Sequence, residues 1–270
     1  MTPPWPTAEE CAEAFARGDG SGVTVAVLDT GVDPAHDAFA GCDFGGFHEM
    51  RITRAGPACV ECPPGDAVGH GTAIASLILR LAPRARILSI RVLGAASRQQ
   101  RHEIIRAGAL AAIEHGAPLI NASFGVPATL FSLPTHLEWS DAAFHRGVTV
   151  FAAASNLDAN HFEWPAHFAT VLGVAATDCP ADSWTWRTGQ PVPLGTSGVN
   201  LKVPHPAAGH TTVSGSSFAT AHATGHAARL LSRFPHASPA IIREAFRCHA
   251  RPHFSSKVTN PPSPTPPLRS

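Results

Sequence analysis

The chain has no net charge, no long apolar run and no cysteine framework, and each absence removes a class of function. Lys+Arg and Asp+Glu number 20 each, for a formal charge of +0, so no global field recruits nucleic acid or an anionic membrane surface. The opening stretch MTPPWPTAEECAEAFARGDG holds no secretory core, and no uncharged apolar run reaches the length of a membrane span. A soluble, cytoplasmic protein is the expectation, with secretion as a processed fragment the alternative. Six cysteines in 270 residues are too few for a disulfide-stapled scaffold. Cys59 and Cys62 have ligand or redox spacing, but a structural zinc needs two more ligands and only Cys42 or His48 lie nearby in sequence. Plain loop cysteines are the simpler reading, with a metal or disulfide there as the alternative. The 16 histidines are scattered singly, without paired ligand spacing, so no metal is expected.

What is present is an ordinary globular balance, 44% hydrophobic and 15% charged, in a chain long enough for one large α/β domain or two small ones. Runs at Val23 to Leu28, Ile87 to Val92, Leu119 to Ala122, Val148 to Ala153 and Val171 to Ala175 are short, apolar and β-branched. Strands buried on both faces of a parallel sheet read this way. Helical spacing between them, at Thr72 to Leu81, His102 to His115 and Ser140 to Arg146, predicts a three-layer α/β fold: a mostly parallel central sheet flanked by helices. Ser217 to Phe234 and Pro239 to Cys248 read as a closing helical pair, with Ser238 as cap and Pro239 in the first turn. Residues 1–22 form an N-terminal extension expected to pack on a domain spanning 23–250. Residues 251–270 are Pro/Ser-rich and cannot bury enough apolar area to offset ordering, so disorder is expected there.

Three stretches carry chemistry: Asp29-Thr30-Gly31, Gly69-His70-Gly71-Thr72 and Gly215-Ser216-Ser217-Phe218-Ala219. A serine hydroxyl is a poor nucleophile at neutral pH. It needs a base within hydrogen-bond reach, and the base needs a partner that fixes its tautomer. Asp29 follows an apolar strand, so its carboxylate belongs at the carboxyl end of the sheet, where α/β folds place ligands. Taken singly, Asp29 also reads as a strand-end turn former and His70 as a loop histidine between glycines.

The flanks make the pattern specific. Val23 to Asp33 (VTVAVLDTGVD), Gly69 to Ala75 (GHGTAIA), Asn121 to Pro127 (NASFGVP), Phe151 to Asn156 (FAAASN) and Ser214 to Gly225 (SGSSFATAHATG) resemble, in order, the motifs of the subtilisin-like serine proteases, the subtilase family. The resemblance spans about residues 20 to 235 and implies a subtilisin-like fold and peptide-bond hydrolysis without a cofactor. It makes Asp29, His70 and Ser217 the triad; of the two adjacent serines only Ser217 fits the family register. Asn156 becomes an oxyanion donor beside the start of the serine helix; its plainer reading is a turn former. Ser123, Phe124 and Gly125 resemble the edge that pairs with an extended peptide substrate. Ala153, Ala154 and Ser155 would wall the primary pocket, with Glu163 at its floor. A carboxylate there would favour Arg or Lys before the cut, unless Glu163 points to solvent.

The resemblance has gaps. Leu81 runs straight into Ala82-Pro83-Arg84, without the calcium loop of many secreted subtilisins, so no calcium site of that kind is expected. Ala221 stands where the family usually has a proline. Only about twenty residues precede the first strand, as in propeptide-free subtilases that mature ribosomally made peptides. The Gly-, Pro- and polar-rich stretch Ala40 to Val68 lacks the helical insertion of the macrocyclising ones, which favours hydrolysis. The resulting expectation is a serine endopeptidase acting on an extended peptide or protein, possessing no nucleic-acid or membrane partner. The alternatives are a catalytically silent peptide-binding protein on the same scaffold and a cysteine or metal hydrolase built on Cys59 and Cys62.

Overall fold

A computed structural model describes residues 5–94, 98–158, 161–206 and 209–251. The expected disordered tail lies outside the described residues, apart from Arg251. The chain opens on helix α1 (Ala8–Arg17), which Thr7 and Glu10 start with a reciprocal capping box. There follow β1 (Thr24–Asp29), β2 (Asp43–Thr53), β3 (Gly56–Glu61), α2 (His70–Leu81), β4 (Arg86–Arg91) and α3 (Arg98–Glu114). The middle of the chain forms β5 (Leu119–Ala122), β6 (Val126–Pro127), α4 (Leu133–His145), β7 (Thr149–Ala153), β8 (Glu163–Trp164) and β9 (Leu172–Thr177). It closes with β10 (Trp184–Trp186), β11 (Leu194–Ser197), β12 (Leu201–Pro204), β13 (His210–Val213), α5 (Ser216–Arg233) and α6 (Pro239–Cys248).

The main sheet has nine strands in the order β10-β11-β9-β7-β5-β1-β4-β2-β3. Every pairing from β11 to β2 is parallel; only the outermost strands, β10 and β3, run antiparallel to their neighbours. Alternation along the strands feeds two cores. Val25 and Val27 of β1 and Phe151 of β7 face a core built with α1, α2, α5 and α6, around Ile74, Leu77, Ile78, Leu230 and Phe246. Ala26, Leu28, Val150 and Ala152 face the opposite core, where Ile105, Ala112 and Trp139 of α3 and α4 cover the sheet. This is the three-layer arrangement that doubly buried strands require. Phe15 of α1 packs edge-on against Trp184 and Phe246, with ring centroids 4.8 and 5.4 Å away.

Two local expectations change. The α4 helix starts at Leu133 rather than Ser140, because Pro134 is tolerated in a first turn and the added turns bury His136 and Trp139. Cys59 is not in a loop: it lies in β3, the partner strand of a β2–β3 hairpin at the sheet edge. The hairpin was hard to read because β2 is half exposed and bulged between Phe44 and Gly46. Along a strand, residues three apart face opposite sides. Cys59 packs toward the α3 core while Cys62, just past the strand, hydrogen-bonds through its N–H to the Phe47 carbonyl. Burial raises both thiols above their ordinary value.

Candidate active site

Asp29 is the last residue of β1, a central strand between β4 and β5, and is wholly buried. Its Oδ1 accepts from the Thr30 N–H at 2.7 Å and pairs with His70 Nδ1 at 2.8 Å. Because Oδ1 is a carboxylate acceptor, Nδ1 carries the proton and Nε2 is left as the ring's acceptor in the neutral imidazole. The other carboxylate oxygen, Oδ2, is buried without a partner among the described residues.

His70 is the first residue of α2, entered through Gly69 at φ +84°. The glycine is needed there: the left-handed conformation strains an L side chain, and a Cβ would overlap Pro206. Gly71 is needed for a different reason, close approach. A Cβ on it would overlap the Gly31 carbonyl and stand 3.0 Å from the Asp29 Cβ. Removing that one carbon is what lets the helix start lie against the end of β1. Burial pushes the His70 pKa down, but the Asp29 hydrogen bond and the charges of Asp29 and Asp66 push it up, and the balance lies above the ordinary 6.5.

Ser217 stands in the first turn of α5, and the Phe218 ring beside it lies 5.6 Å from the His70 ring. The Ser217 hydroxyl donates to the Ser123 carbonyl at 3.0 Å and makes no hydrogen bond to His70. The Ser216 N–H donates to Asn156 Oδ1 at 2.8 Å. Asn156 is exposed. The Ser217 N–H has no acceptor among the described residues, as the first turn of a helix leaves its amides. Ser216 itself points inward, bonding the Ala154 carbonyl at 2.6 Å.

Ser123, Phe124 and Gly125 lie just beyond β5. The Ser123 side chain is turned into the protein: Asn121 Nδ2 donates to its Oγ at 2.8 Å, and Oγ donates to the Ser217 carbonyl at 2.8 Å. Gly125 is exposed, and among the described residues its backbone groups have no backbone partner. Ala153, Ala154 and Ser155 are buried where β7 ends. Glu163 does not point to solvent. It is half buried on β8, and its carboxylate covers Gly125 so closely that a Cβ there would overlap Oε2. Burial raises the Glu163 pKa, against a smaller downward pull from His161 and His167.

The profile of the subtilase family matches residues 20–261. The chain belongs to the subtilase family. Subtilisin BL of Lederbergia lenta is 31% identical over 89% of this chain and 88% of its own length. Thermitase of Thermoactinomyces vulgaris is 28% identical over 83% of this chain and 80% of its own. Among solved structures, a cold-adapted subtilisin-like serine proteinase superposes with a TM-score of 0.67 at 27% identity, covering 84% of this chain and 82% of that one. The prenylagaramide maturation protease PagA gives 0.63 at 27% identity, covering 84% and 81%. This subtilase is a serine endopeptidase, and its substrates are peptides or proteins.

Several residues that shape the site escaped the sequence reading. Asp66 accepts hydrogen bonds from both sides of His70, Arg91 holds the Thr30 and Gly65 carbonyls, and Asn121 bridges Ser123 to Thr224. An Asp between two glycines just ahead of a helix start was the available signal for Asp66. Among the described residues, no group of three or more His, Cys, Asp or Glu side chains is placed to hold a metal ion, and no helix is long and apolar enough to cross a membrane.

Proposed function

We propose that Asp29, His70 and Ser217 form the catalytic triad of this endopeptidase, with Asn156 and the Ser217 N–H as oxyanion donors. The observation that carries the reading is the buried Asp29–His70 pair, 2.8 Å long, facing the start of α5. In this reading the Ser217 hydroxyl leaves the Ser123 carbonyl for His70 Nε2 as acceptor, since catalytic hydrogen bonds commonly tighten only when substrate is present. Oγ then bonds to the scissile carbonyl carbon as its proton passes to Nε2, and the carbonyl oxygen takes up negative charge between the two amide donors. Collapse of the adduct breaks the C–N bond. The leaving amine takes the proton from His70, and water repeats the sequence to free the acid.

The substrate is an extended peptide. Unpaired backbone at Gly125 supports strand-like pairing with any sequence, and the half-buried Glu163 carboxylate over Gly125 supports a basic side chain before the cut. Likeness to a peptide-maturation protease supports a precursor peptide as the natural target. A second reading, a silent peptide-binding scaffold, draws on the Ser217 hydroxyl being engaged by Ser123 instead of His70.

A fluorophosphonate probe with library cleavage profiling decides between them. The triad reading expects labelling at Ser217 and cleavage after Arg or Lys, both abolished in Ser217→Ala. Folded protein that the probe leaves unmodified would favour the silent scaffold.

A further inference from the structure

We infer that Asp66 is a positioning residue for this protease: its carboxylate pins the turn after Asp29 to the helix start that carries His70. The inference rests on His70 acting as the general base, as proposed above. One carboxylate gathers donors from three places. Oδ1 accepts from Thr30 Oγ1 at 2.8 Å, from the Val68 N–H at 3.1 Å and from the Gly69 N–H at 2.8 Å. Oδ2 accepts from the Thr72 N–H at 2.9 Å and from Thr72 Oγ1 at 2.8 Å.

These donors bracket both members of the Asp29–His70 pair. Thr30 directly follows Asp29, and its Oγ1 also accepts from the Gly71 N–H at 3.1 Å. Gly69 and Gly71 flank His70 itself. Thr72 Oγ1 accepts in turn from the Asp33 N–H at 3.0 Å, so the far side of the turn is tied in as well. Arg91 braces the same unit from β4, donating to the Thr30 carbonyl at 3.2 Å and the Gly65 carbonyl at 2.8 Å. A negative group just ahead of α2, accepting from N–H groups at the helix start, also suits the positive end of the helix. The arrangement therefore holds the imidazole by its backbone on both sides, where Asp29 holds it by the ring.

Asp66 also acts through its charge. The charged groups acting on His70 are Asp29 from β1 and Asp66 from the segment before α2, and both favour the imidazolium; from α5 the neighbour is the Phe218 ring. Removing the Asp66 charge lowers the His70 pKa. The sign follows: the acidic limb of kcat/KM, set by His70 giving up its proton in the free enzyme, moves to lower pH.

The test compares Asp66→Asn, Thr30→Val and wild type in pH–rate profiles, with fluorophosphonate labelling and circular dichroism on each. In Asp66→Asn one oxygen becomes an NH₂ that faces N–H and O–H donors. Its kcat should fall about tenfold or more while KM changes less than about twofold, as expected of displaced catalytic groups, and the acidic limb should move down. Thr30→Val keeps the charge and breaks the link, so kcat falls and the limb stays. A folded Asp66→Asn whose kcat and limb superimpose on wild type would overturn the inference. Should that variant not fold, wild-type kcat in Thr30→Val overturns it instead. Wild type left unlabelled at Ser217 would sink the triad reading and this inference together; labelled wild type with unchanged variants sinks this inference alone.

Discussion

Ser123 and Ser217 are bonded to each other twice: Ser123 Oγ donates to the Ser217 carbonyl at 2.8 Å, and Ser217 Oγ donates to the Ser123 carbonyl at 3.0 Å. The first bond is structural and is anchored by the wholly buried Asn121, whose Nδ2 donates to Ser123 Oγ and whose Oδ1 accepts from Thr224 of α5. Ser123→Ala deletes the hydroxyl that joins these groups. It leaves a buried Asn121 N–H unsatisfied, so a stability loss of about 1–3 kcal/mol is expected. Denaturant unfolding measures the loss, and a parallel fall in kcat shows that the Ser217 backbone has shifted. A variant as stable as wild type would mean that water replaces the hydroxyl.

The electrostatics of His70 set a pH signature. Burial opposes its protonation, yet the Asp29 bond and the Asp29 and Asp66 charges outweigh it and hold the pKa above 6.5. The base must be neutral to accept the Ser217 proton, so activity is lost as pH falls through that raised value. The acidic limb of kcat/KM is therefore expected above pH 6.5. In Asp29→Asn both the ring's preferred tautomer and the charge are lost; kcat should fall about 10⁴-fold, the cost of the same change in the chymotrypsin-type triad. A limb well below 6.5 in wild type would contradict this account of the pair.

Glu163 supplies a separate pH test. Its pKa is raised chiefly by burial, so its charge is lost, as pH falls, earlier than for an exposed glutamate. If the carboxylate selects a basic side chain before the cut, the ratio of kcat/KM for Arg over a neutral side chain should decline on acidification within the active range. Glu163→Gln should remove that decline and cut the ratio by about tenfold or more, the order expected for losing a charge-assisted contact. An unchanged ratio in Glu163→Gln would detach specificity from this residue.

The parts of the fold that were legible in the sequence are those where burial is uniform along the element. The run Val25 to Leu28 is apolar throughout because both faces of β1 are covered, and β5 matches the apolar run Leu119 to Ala122. The β2–β3 hairpin was not legible, since its half-exposed residues mix polar and apolar character without a clean period. At the candidate site, short glycine-rich motifs singled out Asp29, His70 and Ser217 for the reading proposed above; close approach of backbones demands glycine there, as at Gly71. Asp66 left only a faint mark, its place between Gly65 and Gly69 ahead of a helix start. Its meaning comes from Thr30, 36 positions away in sequence, and only folding brings that donor to it. The inward turn of the Ser123 side chain was not legible, because its motif says nothing of side-chain direction; it follows from Asn121.

The last expectation concerns stability, and it separates the buried histidines from His70. His136, His222 and His226 are buried, and desolvation pushes each down to about 4. Folded protein keeps them neutral where unfolded chain, titrating near 6.5, is already protonated. The unfolded state binds more protons between those values, so stability is full above about pH 6.5 and falls as pH drops toward 4. His226 tests this best. Its Nε2 bonds the Ala181 carbonyl at 2.8 Å, its Nδ1 has no partner among the described residues, and Phe15 and Trp184 pack around it. His226→Gln can keep the donor without the titration, so its unfolding free energy should fall less steeply between pH 6.5 and 4 than that of wild type. His70 works in the opposite sense: its raised pKa adds stability at acid pH that fades as pH rises through the folded value. Urea unfolding across this range measures the net slope, and a variant slope equal to that of wild type would remove His226 from the account.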